Sequence, residues 1–201
     1  MIKACEVLLE GDVIVYPTET FYALGVDPYN VAAIKKLFDL KGRESNKPIS
    51  VLVKDLSMLR QIVNSIPSVA TKLIEKFWPG PLTIVFEASE KLPDLLTAAT
   101  GKIGVRISSN PLTMGLIEAI AMPITTTSAN QSNAKAPVTV MDTVNYFGEG
   151  LKLFLDGGEL PGKLGSTVVD VTKGEIEVIR AGELPIEVIC NKESGLFHFH
   201  Q

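Results

Sequence analysis

Short apolar runs that end in hydroxyl-bearing or cationic residues recur along this chain, with amphipathic helical patterns between them, and that alternation confines the fold to an α/β class. The first run, DVIVY at 12–16, is β-branched and aromatic, which suits a strand covered on both faces. Pro17 ends it. Proline lacks the N–H that a ladder needs, so Thr18, Glu19 and Thr20 are set off the sheet at its carboxyl edge, where ligands bind in open α/β sheets. Tyr22 and Gly25 read as the continuation of that turn, the glycine supplying a backbone angle that other residues resist. An ordinary strand followed by a hydroxyl-rich turn fits this stretch equally well.

Helical spacing covers 2–10, 30–42, 55–64, 67–77, 92–98, 110–121 and 139–147. Asn30 caps the second of these, whose stripe is Ile34, Leu37 and Phe38, and Gly42 closes it; Asn110 and Pro111 open the sixth. Strands are expected at 49–53, 82–86, 102–108, 123–127, 151–155, 165–171 and 175–180. Pro79, Gly80 and Pro81 make a rigid turn, beside which Trp78 reads as a core plug rather than a ligand platform. With 201 residues and no repeat or composition break, one domain over 1–190 is expected, followed by a tail at 191–201. His198 and His200 fall in that tail, where a pair of histidines is an incidental feature rather than a metal site.

The net charge of −4 argues against a general affinity for nucleic acid or anionic membrane, although local clusters can still provide one. Cys5 and Cys190 form no metal-binding spacing and read as reduced thiols. No apolar run reaches membrane-spanning length and no cleavage-site pattern follows Met1, so a cytoplasmic protein without membrane contact is expected.

Lys41, Arg43 and Lys47 place three cations within seven residues at a helix exit. A helix carboxyl end favours cations, so a solvated cap is the plain reading of that cluster. Arg106 interrupts an apolar row and calls for an anionic or carbonyl partner. Thr125, Thr126, Thr127, Ser128 and Asn130 stand at another strand end, where they can cap a helix or hold a ligand. Ser166 and Thr167 begin one strand and Arg180 closes another. No serine has a motif-level histidine partner, and neither GxxxxGK[ST] nor GxGxxG occurs, so a hydrolytic triad and the usual phosphate loops are set aside. Cations beside hydroxyl clusters suit a polyanion such as a nucleoside triphosphate with a small polar partner. The chemistry would be positioning and charge stabilisation.

Seven motifs in order, PTETFYALG, KGR followed by KP, WPGPLT, VR at 105–106, TSAN at 127–130, GSTVVD at 165–170 and RAG at 180–182, resemble the YrdC-like threonylcarbamoyl-AMP synthases of the YrdC/YciO/YwlC superfamily, in a single-domain short form. The resemblance runs from about residue 5 to 185. It implies a three-layer YrdC/RibB-like fold: a twisted mixed sheet of parallel and antiparallel strands, helices on both sides and a large open cavity. It further implies a nucleotidyltransferase that joins L-threonine, bicarbonate and ATP into threonylcarbamoyl-AMP and pyrophosphate. A separate tRNA-modification transferase would pass the carbamoyl-threonine group to the adenosine beside the anticodon. By the same resemblance Lys41 and Arg43 are the catalytic pair and, with Lys47, bind the triphosphate; Ser128, Asn130 and Arg180 lie on the nucleotide side; Thr20, Arg106, Thr126 and Ser166 surround threonine. Mg2+ is implied with the triphosphate, held by phosphate oxygens and water, and Glu19 reads as an exposed turn carboxylate, with contact to that ion as the alternative.

Four positions depart from the family pattern: Ala23 and Asn133 stand where glycine is usual, Glu44 where proline is, and Leu52 where histidine is frequent. YALG is similar to the YciO-type branch. Two further readings therefore stay open: a YciO-like nucleotide-binding relative that forms no threonine adduct, and a non-enzymatic module whose cavity cations grip double-stranded RNA by shape.

Overall fold

The computed structural model describes residues 1–42 and 47–190. In chain order the elements are α1 (Ile2–Leu9), β1 (Ile14–Pro17), β2 (Tyr22–Gly25), α2 (Val31–Lys41), β3 (Ser50–Leu52), α3 (Leu56–Ile62), α4 (Ser68–Phe77), β4 (Leu82–Glu87), α5 (Asp94–Thr97), β5 (Lys102–Arg106), α6 (Pro111–Ile120), β6 (Ile124–Ser128), α7 (Val140–Phe147), β7 (Leu153–Phe154), β8 (Thr167–Asp170), β9 (Glu177–Arg180) and α8 (Ile186–Ile189). The strands form one nine-stranded sheet in the order β7-β1-β2-β6-β3-β5-β4-β8-β9. Pairing is parallel at β7–β1, β3–β5 and β4–β8 and antiparallel elsewhere, so the sheet is mixed. Every residue of β1 and β2 is buried, as is most of β4 and β5, which requires cover on both faces of the central strands.

The helix ends follow their capping residues. Asn30 accepts from the Ala33 N–H at 3.1 Å, and Gly42, in the left-handed region at φ 56°, closes α2. Asn110 accepts from the Leu112 and Thr113 N–H groups, and Pro111 occupies the first turn of α6, where its missing donor costs nothing. In α7, Thr139 and Asp142 cap one another reciprocally. Trp78 packs half-buried against the core and donates to the Leu82 carbonyl at 2.7 Å, as a plug beside the proline turn should.

Residues 22–25 are a strand, not the continuation of a turn. Pro17 pairs with Tyr22 and Ile14 with Gly25, so 14–25 is a hairpin whose loop is Thr18–Phe21. Gly25 is needed for space rather than for an unusual φ: a Cβ there would lie 2.6 Å from the Tyr16 ring and 2.7 Å from Ile124. The buried Tyr16 hydroxyl donates to the Thr125 carbonyl at 2.7 Å, tying β1 to β6 across β2. Burial pushes that phenol above its ordinary pKa, so it remains a neutral donor. The short α8 is also absent from the sequence reading. Arg43, Glu44, His198 and His200 lie outside the described residues. No described helix is long and apolar enough to cross a membrane.

Candidate functional site

Strand register assembles one face of the sheet into the floor of a cavity of about 490 Å³, an ordinary size for a ligand site. Ala23 on β2 pairs with Ser128 on β6, and Ser50 on β3 pairs with Thr126 on β6. Thr83 on β4 pairs with Val168 on β8, which in turn pairs with Arg180 on β9. All of these line the cavity, and Thr20, Arg106 and Ser166 join them. Gly104 keeps the middle of that floor open, since a Cβ there would come within 2.6 Å of the Ser50 hydroxyl and 3.1 Å of Thr83. The site is not confined to carboxyl edges of strands: in a mixed sheet the end of β6 abuts the beginnings of β2 and β3, so both kinds of strand end contribute.

The two arginines are held differently. Arg106 is 4% exposed and its Nη1 donates to Glu19 Oε1 at 2.6 Å. Glu19, expected as an exposed turn carboxylate, is instead mostly enclosed, and its second oxygen accepts from the Ser108 hydroxyl. Among the described residues Arg180 has no carboxylate partner; its Nε and Nη2 donate to the Ser166 carbonyl at 3.3 and 2.8 Å, and Nη2 also reaches the Ser166 hydroxyl at 3.2 Å. Burial of its head, and after that the like charge of Arg106, hold the Arg180 pKa below the ordinary arginine value. Arg180 nevertheless remains cationic at neutral pH. Two guanidinium groups line the cavity and among the described residues one carboxylate, Glu19, pairs with Arg106 from outside that lining, which leaves positive charge for an anionic ligand to neutralise.

Lys41 is not a solvated cap. It is 3% exposed, and its ammonium donates to the carbonyls of Ser128 and of Asn130, the latter at 2.8 Å, joining the end of α2 to the end of β6. Asn130 is buried beside it, its amide donating to the Gln131 and Ala134 carbonyls at 2.9 and 2.7 Å. Lys47 is exposed, one residue before the cavity-lining Pro48. Thus Thr20, Arg106, Thr126, Ser128, Ser166 and Arg180 share the cavity, Lys41 and Asn130 adjoin it, Lys47 stands outside its lining, and Arg43 lies outside the described residues.

Among the described residues, the buried side-chain polar atoms without a hydrogen-bond partner are Arg106 Nε and Asn130 Oδ1. Such atoms are costly to leave unmet. Arg106 lines the cavity and Asn130 adjoins it, so one unmet atom belongs to the lining and the other lies beside it. A groove of about 520 Å³ elsewhere, bordered by Arg60, Val63, Ile66 and Ile74, has no such convergence. Sequence reasoning missed Thr83, whose hydroxyl lies 2.8 Å from that of Ser166, and Ser50 and Ser108. A threonine inside the otherwise apolar LTIVF was the available signal for Thr83.

Among the described residues no three His, Cys, Asp or Glu side chains gather as a metal site, and both oxygens of Glu19 are engaged.

The Sua5_yciO_yrdC family, described as "Telomere recombination", matches residues 6–182. A Pyrococcus abyssi protein named threonylcarbamoyl-AMP synthase is 34% identical over 191 residues, covering 95% of this chain and 56% of that protein. The crystal structure of P. abyssi Sua5 complexed with L-threonine superposes with a TM-score of 0.90 at 32% identity, over 94% of this chain and 56% of the other. Escherichia coli YciO does so with a TM-score of 0.84 at 26% identity, over 93% and 91%. The chain thus spans little more than half the length of the P. abyssi relative, and nearly all of YciO.

Proposed function

The chain belongs to the Sua5/YciO/YrdC family, and we propose that it is an L-threonylcarbamoyladenylate synthase, a nucleotidyltransferase acting on L-threonine, bicarbonate and ATP. The observation that carries this reading is the meeting of Arg106 and Arg180 in one hydroxyl-lined cavity, where the Glu19 carboxylate pairs with Arg106 from outside the lining. In the reaction, the threonine amine and bicarbonate give a carbamate with loss of water. A carbamate oxygen then attacks the α-phosphorus of ATP, the bond to the β-phosphate oxygen breaks, and pyrophosphate leaves.

The chain's part is binding and charge stabilisation. Arg106 would take the threonine carboxylate as a bidentate partner, with Thr20, Thr126 and Ser166 as hydroxyl contacts. Arg180, Ser128 and Asn130 would hold the nucleotide, while Lys41, Arg43 and Lys47 would offset the charge of the departing pyrophosphate. Magnesium would arrive as part of the substrate, bound to the triphosphate. The product would pass to a tRNA-modification transferase.

The test is pyrophosphate release by the full chain with each substrate omitted in turn. Release should require both threonine and bicarbonate, and Arg43→Ala should abolish it while the protein stays folded. Full activity in that variant would remove Arg43 from the assigned role. A second reading, a YciO-like use of ATP without the threonine adduct, draws on Leu52, fully buried where the family often has histidine. Pyrophosphate release indifferent to threonine would favour it.

A further inference from the structure

Glu19 stands behind Arg106, outside the cavity lining, with one carboxylate oxygen on the guanidinium and the other on Ser108. The turn that carries it is itself fastened. The Thr18 hydroxyl accepts from the Thr20 and Phe21 N–H groups at 3.2 Å each, Asn110 Nδ2 reaches the Thr18 carbonyl at 3.4 Å, and the Thr113 hydroxyl donates to the Pro17 carbonyl. Ser108 and Thr113 are fully buried and Thr18 nearly so. The carboxylate is therefore a fixed point: its oxygens are held by Arg106 and Ser108, and the hairpin turn that carries it is tied to Asn110 and Thr113 at the start of α6.

A guanidinium is a planar fork, and fixing one of its ends fixes the rest. Glu19 holds Nη1, the end away from the side-on edge formed by Nε and Nη2. Nε, on that edge, is buried without a partner. We propose that Glu19 is a positioning residue that sets the guanidinium of Arg106 toward the carboxylate of the amino-acid substrate. This rests on the reading that an amino acid occupies the cavity. A purely electrostatic role makes the opposite prediction: removing a negative charge beside Arg106 would tighten the grip on a carboxylate.

The test uses the full chain carrying Glu19→Gln, which keeps the shape and removes the charge. The threonine KM should rise about tenfold, the effect of one badly set charge-assisted hydrogen bond, while the ATP KM stays within about twofold. Ser108→Ala, which removes only the second hold on Glu19, should shift the threonine KM in the same direction by less, and serves alone if Glu19→Gln does not fold. Equal movement of both KM values, no movement, or a lower threonine KM would overturn the proposal. Arginine side-chain 15N–1H spectra, with the Arg106 signals identified from Arg106→Lys, decide the point without turnover. Resolved Nη signals in the wild type that merge in Glu19→Gln would support positioning, and superimposable spectra would overturn it. A wild type that turns over no threonine defeats the proposed function alone, and those spectra still judge Glu19.

Discussion

Arg106 and Arg180 reach the same cavity from opposite flanks, and the flanks are built on different terms. Arg106 rises from a central strand, is enclosed, and has its charge met by a carboxylate that two further elements hold in place. Arg180 closes an edge strand with largely exposed residues and, among the described residues, is met by the neutral groups of Ser166. One guanidinium is set before any ligand arrives; the other keeps most of its charge for the ligand. Under the proposed function the first would seat the amino acid in one orientation and the second would take the polyphosphate.

The contrast predicts unequal costs. Arg106→Ala leaves the enclosed Glu19 carboxylate unpaired and should destabilise the fold by about 3–5 kcal/mol, in addition to abolishing threonine-dependent turnover. Arg180→Ala removes hydrogen bonds to neutral acceptors and should cost about 1 kcal/mol, whereas its loss from a nucleotide site should raise the ATP KM about tenfold to a hundredfold. Chemical denaturation of the two variants side by side checks the difference. Equal destabilisation would erase it.

The Arg180 flank has a rigidity of its own, supplied by backbone rather than by charge. A Cβ on Gly182 would lie 2.3 Å from the Gly165 carbonyl oxygen and 2.5 Å from the Thr167 nitrogen, so the chain leaving β9 runs directly against the chain entering β8. Gly182→Ala should cost about 1–3 kcal/mol, because backbone cannot step aside as a side-chain tip can. It should also weaken ATP more than threonine. A rise confined to threonine would place Gly182 with the wrong flank.

The smallest effect concerns Asp170, on β8, whose carboxylate accepts from Lys102 and from Thr172 at 2.7 Å each. Burial raises its pKa, but those hydrogen bonds and the Lys102 charge outweigh it and leave the group below the ordinary carboxylate value. A carboxyl depressed by folding stabilises above the unfolded value of about 4 and loses that contribution as pH falls through its folded value. Asp170→Asn should therefore lower the Tm slightly at pH 7, by less than about 1 kcal/mol of stability since Lys102 is partly exposed. The gap from the wild type should close on acidification below about pH 4. A gap that widens in acid would contradict the assigned shift.

How much of this was legible depended on distance along the chain. The caps at Asn30, Asn110 and Thr139, and the longer apolar runs, carry their signals within a few residues, so the main helices and most strands follow from local patterning. The β2 strand did not, because YALG holds two small residues and directly follows a turn; its place is dictated by pairing with β1 and β6. Arg106 and Arg180 and the hydroxyls of Thr20, Thr126, Ser128 and Ser166 were readable as motifs, whereas those of Ser50 and Thr83 were not. Glu19 was not, since its partner is 87 residues away and nothing in PTET shows that the carboxylate faces inward. The burial of Lys41 was hidden for the same reason: a cation in a last helical turn is compatible with a solvated cap until the end of β6 folds over it.

The central claim is that the two flanks serve one reaction, the amino acid on the Arg106 side and the nucleotide on the Arg180 side. Mass spectrometry of the products, with ATP and isotopically labelled bicarbonate supplied together with threonine, serine or no amino acid, tests it most directly. The account predicts a labelled threonylcarbamoyl adenylate only when threonine is present. AMP or ADP formed equally in all three mixtures, with no labelled adenylate, would contradict it.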